Sequence, residues 1–277
     1  MLNFKIDESL CTKCGLCVGD CPMRIIDMKA GQVPSVSPAK EIACIACQHC
    51  LAICPTGALS LMNLSPKDSI VLTKDSFPSP EQMSTLIKGR RSVRQFKQEN
   101  VRPELIEEML SVVANCPTGI NRQDLVFTVV DCKEFMDDYR NKLMEDLFQA
   151  AQLGAIPERY DYLKKMIFLW KRNGIDVIFR TAPHFLIVSA STYAACPEED
   201  VNLALAYFEL LANSNGIGTT WCGTLKMALE ILPKYKKRIN LPATSFYYPM
   251  IFGIPAVKYR RTVQRDDAVV INRVCRK

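Results

Sequence analysis

At 277 residues, 48% hydrophobic and 23% charged, with 12 glycines, the chain is too long for a single disulfide-stapled scaffold and too apolar for a disordered tail. A prior of ~150 residues per domain gives about two soluble globular domains. A formal charge of +6 and an odd count of 13 cysteines remain to be accounted for.

The start, Met1 to Leu10, has no basic stretch followed by an apolar core, and no uncharged apolar run approaches the ~20 residues that span a bilayer. These features predict a cytoplasmic protein with no membrane association, in which clustered cysteines are metal or redox ligands before they are disulfides. Two histidines in the whole chain argue against a histidine-rich zinc or non-haem iron site.

Eight cysteines then fall in the first 54 residues, in two runs of the form C-x2-C-x2-C-x3-C-P: Cys11, Cys14, Cys17, Cys21 and Cys44, Cys47, Cys50, Cys54. The second run repeats the first at an offset of 33, and each is followed by apolar residues, Ile25-Ile26 and Ala58 to Leu61, that suit matching core or strand positions. Residues 1–62 therefore read as a small duplicated domain. Zinc sites and buried free thiols are the plainer alternatives, but structural zinc ordinarily uses two cysteine pairs across a longer loop. The spacing is that of bacterial ferredoxins with two [4Fe–4S] clusters, in which the fourth cysteine of each run ligates the other cluster. The resemblance assigns Cys11, Cys14, Cys17 and Cys54 to one cluster, and Cys44, Cys47, Cys50 and Cys21 to the other. His49, inside the second run, is expected to tune or shield a cluster rather than ligate it.

Residues 63–82, with three prolines and four serines, read as a linker in which Ser69 to Thr73 suits a short strand. The larger domain, 83–277, mixes element types. A helix is predicted over Glu104 to Asn115 behind Pro103, a strand over Leu125 to Val130, and helix over 134–172 with a break at Gly154 to Pro157. A strand at Phe185 to Ala190 precedes a long helix from Pro197 to Asn213, acidic in its first turn, closed by Gly216 and apolar on more than one face. A helix over Leu225 to Lys237, a strand over Phe246 to Phe252 and an extended tail over Ala268 to Val274 complete the chain. Strands and helices do not alternate regularly, which favours an α+β class over a doubly wound sheet.

Four segments of this domain carry chemistry. Arg90-Arg91-Ser92-Val93-Arg94-Gln95-Phe96 concentrates donors suited to a phosphate monoester, although a basic run is more often a solvated face. Pro117, Thr118, Asn121 and Gln123 form an amide- and hydroxyl-rich turn. Gly216, Gly218, Trp221 and Gly223 mark a loop of small residues that lets backbone approach a flat ligand. Gly253 and Pro255 lead into a second cationic group, Arg260 and Arg261. In this order the segments resemble the FMN-dependent nitroreductase family from about Leu86 to Arg261, with Thr118 where the family has serine.

The resemblance implies a nitroreductase-like sheet flanked by helices, and FMN at a homodimer interface. Arg90, Arg91, Ser92, Arg94, Arg260 and Arg261 would hold phosphate and ribityl. The turn of Pro117, Thr118, Asn121 and Gln123 would meet the flavin, with backbone from Thr220 through Trp221 and Cys222 to Gly223 facing its N5. No side chain is assigned as catalytic, since the chemistry would occur on the flavin. The expected activity is an oxidoreductase passing electrons from the clusters to FMN and on to a nitroaromatic, a quinone or a similar small acceptor. Reduced ferredoxin or another low-potential donor would feed it, with NAD(P)H as a second candidate. The alternatives are another flavin reaction on the same fold (ene reduction, dehalogenation or dehydrogenation) and an electron-transfer or redox-sensing module without turnover. Nucleic-acid binding lacks a motif.

The region 134–180, with Tyr160, Tyr162, Phe168 and Trp170, has no family motif and is either core or a cap over a substrate pocket. Cys222 reads as an apolar filler and His184 as a satisfied structural histidine rather than a general acid. Cys116, Cys132, Cys196 and Cys275 carry no partner spacing and are expected to be free thiols.

Overall fold

The computed structural model describes residues 2–265 and 268–274. It contains two compact units, one running through Pro78 and taking in Ile120–Arg122, the other comprising Ser79–Gly119 and the chain from Gln123 onward.

The duplication in the first unit is written in its backbone. Strand β1 (Lys5–Ile6), helix α1 (Leu16–Asp20), β2 (Ile26–Asp27), β3 (Ser35–Val36), α2 (Pro38–Glu41), α3 (His49–Ala52) and β4 (Leu59–Ser60) follow in order. The two-stranded pairs are β1 with β4 and β2 with β3, both antiparallel. Left-handed residues recur at the same offset as the cysteines: Lys13 and Ala46 at φ 56° and 55°, Gly15 and Gln48 at 73° and 59°, Arg24 and Gly57 at 51° and 63°. Such turns are costly for side chains other than glycine, and their recurrence in the second half shows that the two halves share one backbone course. Ile25, Ile26, Leu51, Leu59 and Leu61 form the small core, as the apolar residues after each Cys-Pro predicted.

The second unit begins with α4 (Pro80–Gly89), whose Ser79 and Gln82 form a capping box inside the stretch expected to be linker. Ser69 to Thr73 makes no strand; Ile70 and Val71 are 87% and 81% exposed, with no neighbouring strand to satisfy their backbone. Then come α5 (Pro103–Val113), β5 (Val126–Val130), α6 (Lys133–Gln152), α7 (Asp161–Asn173), β6 (His184–Ala190), α8 (Pro197–Ser214), β7 (Gly218–Trp221), α9 (Gly223–Ile231), α10 (Lys234–Arg238) and β8 (Phe246–Gly253). The single helix expected over 225–237 is two, because Pro233 interrupts it. The tail from Ala268 to Val274 has no regular structure, and Cys275 lies outside the described residues.

Strands 5 to 8 form one antiparallel sheet in the order β5-β6-β8-β7. Strand β6 is buried along its whole length, so both of its faces are apolar. Phe185 and Ile187, beside Ile251, point to a core shared with Tyr139, Leu143, Leu163 and Leu225 from helices α6, α7 and α9. Leu186 and Val188, with Met250 and Phe252, face the other core, with Ile106, Val201, Leu205 and Phe208 from α5 and α8. Period-two alternation thus builds a sheet with helices on both sides. Helix α8, apolar on more than one face, packs its Val201, Ala204, Leu205, Phe208 and Ala212 into this second core and keeps Leu203 and Tyr207 exposed.

His184 is buried at the start of β6, and its Nε2 accepts a hydrogen bond from Val101 N at 2.9 Å. Burial lowers its pKa to about 4, against opposing contributions from Asp131 and the Val130 backbone, so the ring is neutral near pH 7. The histidine is structural, as expected, but satisfied at Nε2 alone, since its Nδ1 is buried without a hydrogen-bond partner among the described residues. Among the described residues, no helix is long and apolar enough to cross a membrane.

Candidate functional site

In the first unit the eight cysteines separate into two groups, each around its own void. One cavity, of about 390 Å³, is lined by Cys21, Cys44, Cys47 and Cys50; the other, of about 340 Å³, by Cys11, Cys14, Cys17 and Cys54. Each thus takes three thiols from one run and the fourth from the other; α1 and α3 carry the third cysteines, Cys17 and Cys50, and the last ones, Cys21 and Cys54, follow the helix ends. Among the described residues, no three His, Cys, Asp or Glu side chains converge on one ion. Four thiols around a void suit a cube of iron and sulfide better than a single zinc.

Burial pushes the Cys50 thiol up to about 11, with further increments from Cys47, Cys21 and Cys44. Four thiols packed together in this way would lose their protons together only with a cationic metal centre between them. Cys54 opposes its own desolvation by accepting a hydrogen bond from Ala58 N at 3.3 Å, which brings its pKa below the usual thiol value. His49 lines the first cavity, and its Nδ1 lies 3.2 Å from Asp20 Oδ2, tying the two runs together.

In the second unit the arginine segment is held as an extra rung beside β7. Ser92 bridges Thr219 in parallel, Val93 N donates to Thr219 O at 2.9 Å, and the Thr220 hydroxyl donates to Val93 O. On its other side Lys97 N donates to Ile254 O and Ala256 N to Gln95 O. Three segments distant in sequence, those around Arg90, Gly218 and Gly253, therefore lie side by side. The close packing needs glycine at Gly218, where a Cβ would sit 2.6 Å from Val93 Cγ2.

The arginines have different surroundings. Arg90 is paired with the buried Glu209 at 2.9 Å. Arg91 Nη2 donates to Lys88 O at 3.1 Å, whereas its Nε is buried without a hydrogen-bond partner among the described residues. Arg94 lines a pocket of about 650 Å³ together with Thr220, Trp221, Cys222 and Gly223, so four predicted loop positions and one arginine come together. Helix α9 begins at Gly223, turning its positive end to this pocket. Cys222 donates its S–H to Ile178 O at 3.2 Å, and burial pushes its thiol up to about 11; it is an unreactive neutral group, as expected.

The remaining predicted residues lie elsewhere. Thr118 Oγ1 accepts from Gln123 N at 3.0 Å, and Gln123 Nε2 donates to Cys116 O at 3.2 Å; neither residue, nor Pro117, lines the pocket. Asn121 Nδ2 donates to Ile45 O at 2.9 Å, within the first unit. Arg260 and Arg261 are exposed in irregular chain after β8. Tyr162 and Met166 from the unassigned region do line the pocket, whereas Tyr160 and Trp170 pack against the core. Sequence reasoning missed Arg180, also in the wall; its signal was charge at Asp176 and Arg180 inside an otherwise apolar run.

Residues 87–254 match the model of the nitroreductase family over more than half of the chain. The chain belongs to the nitroreductase family. Residues 10–59 match the 4Fe-4S dicluster domain. This nitroreductase-family protein is 28% identical over 136 residues to an iodotyrosine deiodinase of Thermotoga neapolitana, covering 48% of this chain and 69% of that one. Its first unit is 38% identical over 57 residues to a ferredoxin-like protein encoded in the nif region of Sinorhizobium fredii, covering 20% of this chain and 88% of that protein. A crystal structure of a Bacteroides fragilis nitroreductase with bound FMN aligns with a TM-score of 0.54 at 18% identity, over 69% of this chain and 99% of that one. The fold is therefore a nitroreductase-like sheet and helices preceded by a ferredoxin domain.

Proposed function

We propose that this protein is a cytoplasmic FMN-dependent oxidoreductase whose two [4Fe–4S] clusters supply electrons from reduced ferredoxin, another low-potential donor or NAD(P)H. The observation that carries the reading is the presence, on one chain, of two four-cysteine cavities and a nitroreductase-family unit with a cationic pocket. FMN supplies a carrier that collects single electrons and passes them in pairs to a nitroaromatic, a quinone or a similar acceptor.

The residues fit that cofactor. The orphaned Arg91 Nε offers a donor to an anion, and Arg94 brings a second guanidinium to the pocket. Arg91, Ser92 and Arg94 would hold phosphate and ribityl, with Arg260 and Arg261 adding charge. Arg90, committed to Glu209, fixes the segment from beneath. Asn121 and Gln123, expected at the ring, instead donate to Ile45 O and Cys116 O away from the pocket, and it is the backbone from Thr220 to Gly223 that would pack close to the ring. A homodimer is supported by a groove of about 850 Å³ on the second unit, lined by Met83, Leu86, Val112, Tyr207, Leu210 and Leu211.

Anaerobic stopped-flow absorbance tests the wiring. With a low-potential donor, flavin reduction in the wild type should outpace that in a variant with all eight cluster cysteines changed to serine; equal rates would refute it. Reductive dehalogenation is the second reading, favoured by the similarity to a deiodinase, and steady-state assays across nitro, quinone and halogenated acceptors separate the two.

A further inference from the structure

Arg180 is the least expected member of the pocket wall. It and Thr181 both occupy the left-handed region, at φ 55° and 54°, where a side chain costs roughly 1–3 kcal/mol and persists only if its surroundings over-determine it. The surroundings do so here. Asp176, 8% exposed, accepts from Phe179 N at 2.8 Å and from Thr181 N at 2.9 Å. Its carboxylate lies 3.3 Å from Nε of the buried Arg140, which also donates through Nη2 to Ala182 O. Gln98 Nε2 donates to Thr181 O at 2.9 Å from the far side. Five hydrogen-bonding or ionic contacts thus hold one turn in a conformation that plain chain connection does not require.

What the turn delivers is a cation. The Arg180 side chain lines the pocket together with Thr220 to Gly223, and its charge acts on the Cys222 thiol. No carboxylate or carbonyl within the described residues accepts a hydrogen bond from its guanidinium. The rest of the wall joins Arg94, Thr220 and Thr224 to the apolar or aromatic side chains of Tyr162, Met166, Val177, Ile178 and Met227. A pocket that sets apolar and aromatic side chains beside the guanidiniums of Arg94 and Arg180 suits a ligand that is flat and apolar at one end and anionic at the other.

We propose that Arg180 is a specificity-determining residue that binds the carboxylate of an aromatic acceptor, with Asp176 and Arg140 as positioning residues. The inference rests on the reading that flavin occupies the Thr220 to Gly223 side of the pocket, and it names the substrate class of that site as carboxylated aromatics.

A binding experiment tests it without turnover. The oxidised, FMN-loaded protein is titrated with benzoate and with benzyl alcohol, followed by flavin absorbance, in wild type, Arg180→Gln, Arg180→Asn and Arg180→Lys. Asparagine tolerates the left-handed backbone and guards against misfolding. Loss of a charge-assisted hydrogen bond predicts benzoate binding weakened roughly 10- to 100-fold in the Gln and Asn variants, with partial recovery in Lys and benzyl alcohol unaffected. A wild type that binds benzoate no better than benzyl alcohol overturns the proposal. So does a parallel loss of FMN, which would make Arg180 a cofactor ligand. Absence of nitro or quinone turnover in a wild type that still prefers benzoate would defeat the functional reading and leave this one standing.

Discussion

Gly218→Ala probes the packing on which the cofactor site depends. The added Cβ would lie 2.6, 2.8 and 2.9 Å from Val93 Cγ2, Cβ and Cγ1, where carbon atoms prefer about 3.5–4.0 Å, so Val93 must retreat by about 1 Å. Val93 is 3% exposed and has no space to enter. Its retreat stretches the bond from Val93 N to Thr219 O and shifts Ser92 and Arg94 on either side. Overpacking of this kind costs about 1–3 kcal/mol, or roughly 2–10 °C in a unit of this size. Both tryptophans, Trp170 and Trp221, belong to the second unit, so their fluorescence follows its melting independently of the ferredoxin unit. The variant should melt lower and lose FMN more readily on dilution. Val93→Ala alone should cost roughly 1–3 kcal/mol through its cavity, but the double variant should cost less than the two added, by at least about 1 kcal/mol. Strict additivity, or a Gly218→Ala melting curve that overlays the wild type, would refute the proposed contact between the arginine segment and β7.

The crossed cluster assignment predicts that Cys11→Ser with Cys54→Ser removes one cluster, halving iron from about eight atoms per chain to about four, whereas Cys11→Ser with Cys21→Ser damages both; iron analysis and electron paramagnetic resonance of the reduced protein decide it, and the reverse pattern would mean that each run keeps its own cluster. For His184, the unfolded chain binds a proton near pH 6.5 and the folded one only near pH 4, so its contribution is complete above 6.5 and drains away as pH falls towards 4, by about 3 kcal/mol. Denaturant titrations from pH 7.5 to 4.5 should show that slope, and His184→Leu should flatten it while costing about 1–3 kcal/mol at pH 7.5 through the orphaned Val101 N–H; an unchanged slope would show that the histidine does not carry it. Glu209→Ala strips the partner from Arg90 and should destabilise the second unit by about 1.5–3 kcal/mol, measured by tryptophan fluorescence, while a loss below about 0.5 kcal/mol would place Arg90 outside the structural network.

The readability of this chain follows from where its constraints are local. A thiolate cluster needs its ligands at fixed short spacings, so the two cysteine runs announce the ferredoxin unit, and the crossing of the fourth ligand explains why the repeat is complete. Likewise β6 is a continuous apolar run because both faces are covered, and α8 is apolar on more than one face because it packs against the sheet and α5. Strand β7 was less visible: Gly218 and Trp221 lie in what reads as a glycine loop, and only pairing with β8 and the Ser92 rung makes it a strand. Helix α4 was hidden for the opposite reason, since its capping box lies among prolines and serines that locally spell linker. Arg180 is the extreme case. Its conformation is set by Asp176 four residues away, by Arg140 on another helix and by Gln98 farther still, so no window of sequence holds the cause. Cofactor contacts that every relative of a fold must make leave short motifs, whereas substrate contacts rest on long-range networks particular to one chain, and it is those networks that the three-dimensional arrangement adds.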